Sequence, residues 1–128
     1  MLQRGKEVAV PQVVPVASRD SERARRQHLL CVACGQVITT GDARLAVDGA
    51  HVHTRTNPDG FTFTFGCFAT APGCVAQGVP SRQASWFPGY FWWTRACASC
   101  QGHLGWLFFA DVGEFYGLVL DRLHEVEA

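Results

Sequence analysis

Excess charge is missing from this 128-residue chain, in which 11 basic and 11 acidic residues cancel. A nucleic-acid surface needs a concentrated positive field to displace counterions, so no nucleic-acid partner is expected. Lysine is almost missing too: Lys6 stands alone and every other basic residue is arginine, an imbalance with no functional reading. No apolar run is long enough to cross a membrane, so no membrane partner is expected. A signal peptide is not expected either. It would want a clean apolar core and a small-residue cleavage site, but in the VAVPQVVPV that follows Arg4 and Lys6, Pro11, Gln12 and Pro15 interrupt the apolar stretch. Residues 1–28 therefore read as a flexible leader, residues 29–128 as one domain, and the expected location is cytoplasmic. In a reducing compartment, paired cysteines are more often metal ligands than disulfides.

The most informative absence is local. From Phe61 to Ala110 there is no Asp or Glu, yet all four tryptophans lie in that stretch: Trp86, Trp92, Trp93 and Trp106. A cage for methylated ammonium groups joins aromatic faces to an acid, because its guest is a cation. A hydrolase needs a carboxylate or histidine to move protons, and here only His103 and the thiols are near. A neutral, flat guest between indole walls fits better. Core packing competes with that reading, and pattern alone leaves the two level. Trp92 and Trp93 are adjacent on an expected strand, so they face opposite sides.

Short segments punctuated by glycine and proline point to an all-β domain. Expected strands follow Cys31, run from Ala43 to Val47, alternate through Phe61, Phe63 and Phe65, and flank Cys97–Cys100 over Tyr90–Ala96 and Leu104–Ala110. Asn57-Pro58-Asp59-Gly60 reads as a turn. Ala69 to Ser85 reads as a loop, and the segment from Glu114 onward suits helix and strand equally.

Cys31-Val-Ala-Cys34-Gly and Cys97-Ala-Ser-Cys100-Gln-Gly form two matched knuckles. Two residues between thiolates let both sulfurs meet one tetrahedral ion, and Gly35 and Gly102 are expected to supply the tight backbone. Four thiolates make a closed structural site with no open position for catalysis. A redox pair with buried thiols is the competing reading and leaves the matched turns unexplained. Cys67 and Cys74 read as small buried apolar side chains, with a redox thiol as the alternative.

These residues resemble the thalidomide-binding (CULT) domain of cereblon, most closely the single-domain bacterial cereblon-like proteins. The matching features are Cys31-x-x-Cys34, Asn57-Pro58-x-Gly60, Ser85-Trp86-Phe87-x-Gly89-Tyr90-x-Trp92, Cys97-x-x-Cys100, His103-x-Gly105-Trp106-x-Phe108 and Phe115-x-Gly117-Leu118. The resemblance implies an all-β fold, a β-tent of two antiparallel sheets pinned by one structural zinc on Cys31, Cys34, Cys97 and Cys100. It implies a tryptophan cage for cyclic imides such as glutarimide, with Trp86, Trp92 and Trp106 as walls. Backbone groups at Ala84 and Trp86, with Ser85 between them, would hold the imide. Phe108 would close the base, and Asn57, Pro58 and Phe63 would form the rim. It also implies a strand around Phe115 to Leu120.

Two positions depart from the family. Animal cereblons carry His where Ala84 stands, and the family usually has Thr where Trp93 stands. The N-terminal parts of full cereblon have no counterpart here, so no ubiquitin-ligase adaptor is expected. The reading is a non-enzymatic module for cyclic imides, uracil-like rings or peptides ending in a cyclic imide. The alternative is a zinc-containing methionine sulfoxide reductase. That family needs a catalytic Cys on a late strand, and no Cys follows Cys100.

Overall fold

The computed structural model describes residues 11–16, 22 and 27–127. From residue 27 onward the regular structure is strands joined by turns, with two short 3-10 turns. The strands are β1 (Val13–Pro15), β2 (Gln27–Cys31), β3 (Val37–Thr40), β4 (Arg44–Val47), β5 (Val52–Thr56), β6 (Thr62–Phe68), β7 (Cys74–Ala76), β8 (Phe91–Cys97), β9 (His103–Ala110), β10 (Gly113–Val119) and β11 (Leu123–Glu127). The fold is all-β with two antiparallel sheets. The large sheet runs β1-β4-β6-β10-β9-β8-β7, with β5 also paired to β6; the small one runs β11-β2-β3. Among the described residues no helix is long and apolar enough to cross a membrane.

Two passages of the chain between the sheets are corners, each a three-residue 3-10 turn. Gly41–Ala43 leads from β3 into β4, and Leu120–Arg122 leads from β10 into β11. Each apolar residue is assigned a layer by strand alternation. On β6, Phe65 and Cys67 face the aromatic core, while Phe68 faces the small sheet with Leu29, Ile38 and Leu104. β10 repeats this, with Phe115 and Val119 on the aromatic side and Leu118 toward the small sheet. β6 is therefore buried on both faces over its second half. Its entrance is not, and Phe61 is 64% exposed.

A β-bulge breaks the alternation on β9. Arg95 pairs with Gly105 and Ala96 with His103, which leaves Leu104 as the extra residue. Leu104 turns to the small sheet while Trp106 and Phe108 turn to the aromatic core. Gly105 permits this because a Cβ there would lie 1.9 Å from the Gly117 carbonyl oxygen.

Within the stretch expected as leader, Val13–Pro15 pairs with β4, and the expected boundary at Leu29 falls inside β2. The segment from Ala69 to Ser85, read as loop, contains β7 and a bridge from Ser81 to Trp92. β5 has no counterpart in the sequence reading. The ambiguous end is two strands, β10 and β11, with a corner between them.

The turn before β7 lies tightly against β3 at Gly73, whose added Cβ would lie 2.1 Å from the Val37 carbonyl oxygen and 2.6 Å from Ile38 Cα. Gly73→Ala should therefore destabilise the fold by about 2–3 kcal/mol through overpacking. That lowers Tm by on the order of 10 °C. Val79→Ala, at an exposed position, should stay within about 0.5 kcal/mol. Thermal melts of the two variants check this.

Candidate functional site: a four-cysteine centre and an aromatic cavity

Cys31 ends β2 and Cys97 ends β8, so each sheet delivers one knuckle to the same point. The sulfurs of Cys31, Cys34, Cys97 and Cys100 all lie within 4.8 Å of one another. Cys31 Sγ is 3.7 Å from Cys100 Sγ, and Cys34 Sγ is 3.6 Å from Cys97 Sγ. A disulfide would need about 2.05 Å. A tetrahedral ion with metal–sulfur bonds of about 2.3 Å separates its sulfurs by about 3.8 Å. The four thiols thus have the spacing of a closed tetrahedral site and can hold one metal ion.

The two knuckles share one hydrogen-bond pattern. Cys31 N–H donates to the Gln36 carbonyl and Cys97 N–H to the Gly102 carbonyl, each at 2.8 Å. Gly35 N–H returns to the Cys31 carbonyl, and Gln101 N–H to the Cys97 carbonyl. The match corrects the expectation for Gly102. The left-handed residues are Gly35 (φ 83°) and Gln101 (φ 66°), the fourth position after each leading cysteine. Gly35 suits that conformation, whereas Gln101 adopts it at a steric cost. The four thiols divide their protons unevenly: the Gln36 backbone amide draws Cys34 down to about 7, whereas Cys100, although its hydrogen bond with the Gly102 backbone pulls it down, is held up at about 11 by burial and the three other thiols.

Cys67 is fully buried in the aromatic core. Cys74 packs beside the small-sheet core and stands opposite Cys97 across the β7–β8 ladder. Burial pushes both thiols up to about 12, so neither is an activated nucleophile.

The second feature is a cavity of about 530 Å³ beside the aromatic core. Asn57, Pro58, Phe63, Ala84, Trp86, Trp92, Trp106 and Phe108 line it. Trp86 and Trp106 meet at 84° with centroids 5.0 Å apart and form a corner. Trp86 also stacks on Phe65, and Phe63 packs edge-on to Trp106. Trp92 stands apart as a third wall. Phe108, across the ladder from Trp92, lies 1% exposed at the base.

Hydrogen bonds hold the indoles. Trp86 Nε1–H donates to the Thr56 carbonyl (3.2 Å) and Trp92 Nε1–H to that of Gln83 (2.9 Å). Trp93 Nε1–H donates to the Gly78 carbonyl on the opposite face of β8, where Arg95 covers its ring at 4.9 Å. Trp93 does not line the cavity.

Ser85 also stays off the wall. Its Oγ–H donates to the Phe87 carbonyl and its Oγ accepts from Phe87 N–H, closing its own turn. Ala84 is left-handed, with φ 57°. Among the described residues, no protein group pairs with the Ala84 backbone or the Trp86 N–H.

About half of the chain is similar to curated relatives. Cereblon of Gallus gallus is 35% identical over 80 residues, 56% of this chain and 18% of that protein. Cereblon of Danio rerio is 39% identical over 72 residues, 52% and 17%. Cereblon of Xenopus tropicalis is 37% identical over 72 residues, 52% and 16%. With two sheets and four converging cysteines beside these identities, the assignment follows. This is a cereblon-like CULT domain. No family profile matches the chain, which spans under a fifth of the length of these relatives.

The CULT domain also places on its cavity residues that sequence reasoning missed: Asp59, Ser81, Gln83, Thr94 and His103. Thr94 was legible in principle, two positions after Trp92 on one strand. His103 was not, because the bulge at Leu104 puts an odd-numbered residue beside Trp106. Asp59 corrects the argument from missing acids. It stands just before the acid-free run, and the Asn57–Gly60 turn folds it onto the rim.

Two predictions follow from the CULT centre and its cavity. Folded protein should carry one metal ion per chain by elemental analysis. Cys97→Ser should lose both ion and fold, since breaking a structural thiolate site removes folding free energy. Cys67→Ala should retain the ion, while Cys67→Ser should cost about 1–3 kcal/mol by burying a hydroxyl without a partner.

The second concerns pH. Burial lowers the pKa of His51 and of His103 below 6.5, and nearby Arg122 adds to the effect at His103. The unfolded chain then binds these protons more readily. Stability should be full above 6.5 and decline as the pH falls through it. Urea midpoints on either side of that pH should converge in His103→Gln relative to the wild type.

Proposed function

We propose that this domain is a zinc-stabilised, non-enzymatic binding module for cyclic imides and similar planar rings, including peptides whose C-terminus has closed to an imide. One observation carries the reading. A neutral-walled cavity of three indoles opens beside backbone groups of Ala84 and Trp86 that have no protein partner among the described residues. An imide has one N–H between two carbonyls. The Ala84 carbonyl suits the N–H, and the amides of Ala84 and Trp86 suit the carbonyls. The indole faces replace water around the ring. Ala84 has no polar side chain, so recognition at that position rests on the backbone.

Zinc is the metal we assign to the centre, because it favours tetrahedral thiolate sites. Its role is to fix the ends of both sheets, and it takes no part in recognition. The reductase reading lacks its nucleophile: Cys67 is buried and Cys74 half-buried, and desolvation holds both thiols up to about 12. Asp59 is the one carboxylate on the cavity and lies exposed at the rim, off the indole walls. It gives the mouth, not the base, a negative charge.

Glutarimide should quench tryptophan fluorescence with a micromolar dissociation constant, about −8 kcal/mol. Trp106→Ala should lose the ligand, while Trp93→Ala should keep it. N-methyl glutarimide should not bind, since an unpaired buried carbonyl costs about 1–3 kcal/mol and the methyl clashes. Binding of a trimethylammonium compound without binding of glutarimide would overturn the reading.

A further inference from the structure

The β6 edge beyond the end of β10 has no strand beside it, and a groove opens there. Two hydrogen bonds set the phase of the β5–β6 ladder. Asn57 N–H donates to the Phe61 carbonyl (2.8 Å), and Cys67 N–H to the His51 carbonyl (3.0 Å). Odd-numbered residues of β6 therefore exchange bonds with β5, and Thr62 and Thr64 turn their N–H and C=O groups to the opposite edge. On that edge β10 pairs only from Phe68 to Phe65, because the chain leaves at Val119 into the corner Leu120–Arg122. Among the described residues, no strand pairs with Thr62 there. The space left is a groove of about 400 Å³ between Thr62–Thr64 and Val119–Arg122.

This groove adjoins the aromatic cavity. Phe63 is a wall of both. Arg122 of the groove donates from Nη1 to the carbonyl of His103, a cavity residue, at 2.9 Å. The Thr62 and Thr64 hydroxyls are engaged with Thr56 and Thr54 at 2.8 and 2.9 Å, so the groove's open polar groups on this side are main-chain ones.

We propose that the groove takes the backbone of an extended peptide whose C-terminal imide ring sits in the cavity, the peptide adding as a short strand to β6 at Thr62. This rests on the imide reading above and adds where the rest of an imide-terminated peptide lies. An exposed strand edge gives affinity through main-chain bonds, while sequence is read only where separate pockets take the alternate side chains. Recognition should thus be tolerant of the peptide sequence and sensitive to its backbone.

The test is a fluorescence titration with three probes. These are a free glutarimide, a tetra-alanine peptide ending in a C-terminal cyclic imide, and the same peptide N-methylated at one residue at a time. The peptide should bind at least about tenfold tighter than the ring, roughly 1.4 kcal/mol. N-methylation at alternate residues should remove that gain. Thr62→Pro deletes an edge N–H that does not serve β5; it should bind the free ring as the wild type does and lose the gain. If Thr62→Pro fails to fold, the N-methyl series on the wild type decides. Equal affinity for ring and peptide, or a gain that survives N-methylation at every residue, overturns the groove while leaving the imide reading intact. If neither ring nor peptide binds, both fall.

Discussion

Four sulfurs meeting at one point hold the two sheets in register, and the rest of the domain is arranged around that junction. The small sheet has three strands and has to bury its apolar face against another layer. It becomes stable by packing Leu29, Ile38 and Leu123 against the back of β6, β9 and β10. Cys31 and Cys97 belong to that same buried cluster, so the metal ligands are continuous with the core. The aromatic cavity lies on the opposite face of the large sheet. Its walls depend on the junction indirectly, through β8 and β9, which run from the knuckle to Trp92 and Trp106.

The indoles divide the work. Trp86 and Trp92 are tied to carbonyls on β5 and on the loop before β8, so each wall also fixes a neighbouring segment. Trp93 does the same for the loop at Gly78 on the outer face. Trp106 Nε1–H has no protein partner among the described residues, and Trp106 is held by ring contacts with Phe63, Trp86 and His103. A tryptophan used this way needs neighbours of fixed shape, and β6 and β9 supply them.

The parts of this design that were legible in the sequence have a period or a spacing. The two knuckles announced the cysteine cluster, the Phe63–Phe65 alternation announced β6, and Trp92-Trp93 announced two faces. What stayed hidden depends on partners far along the chain. β5 has little apolar content of its own, and it exists because β6 offers an edge and the Asn57–Gly60 turn reverses the chain. β1 pairs with β4 through exposed residues that no pattern marks. Gly102 looked like the tight residue of the second knuckle, but counting from the leading cysteine gives Gln101. Asp59 escaped because its importance comes from a turn, not from the run of residues that follows it.

The extra residue at Leu104 gives β9 an unusual sensitivity. The bulge lets one strand serve two layers, with Leu104 committed to the metal side and Trp106 to the cavity. Deleting one residue between His103 and Trp106 would leave composition almost unchanged yet erase the bulge, and β9 would then present its side chains in simple alternation instead of serving two layers. An insertion there would have to be bulged out a second time or turn the indole to the wrong layer. The length of this segment is therefore constrained more tightly than its chemistry: a frame, set to a single residue, within which side chains can vary.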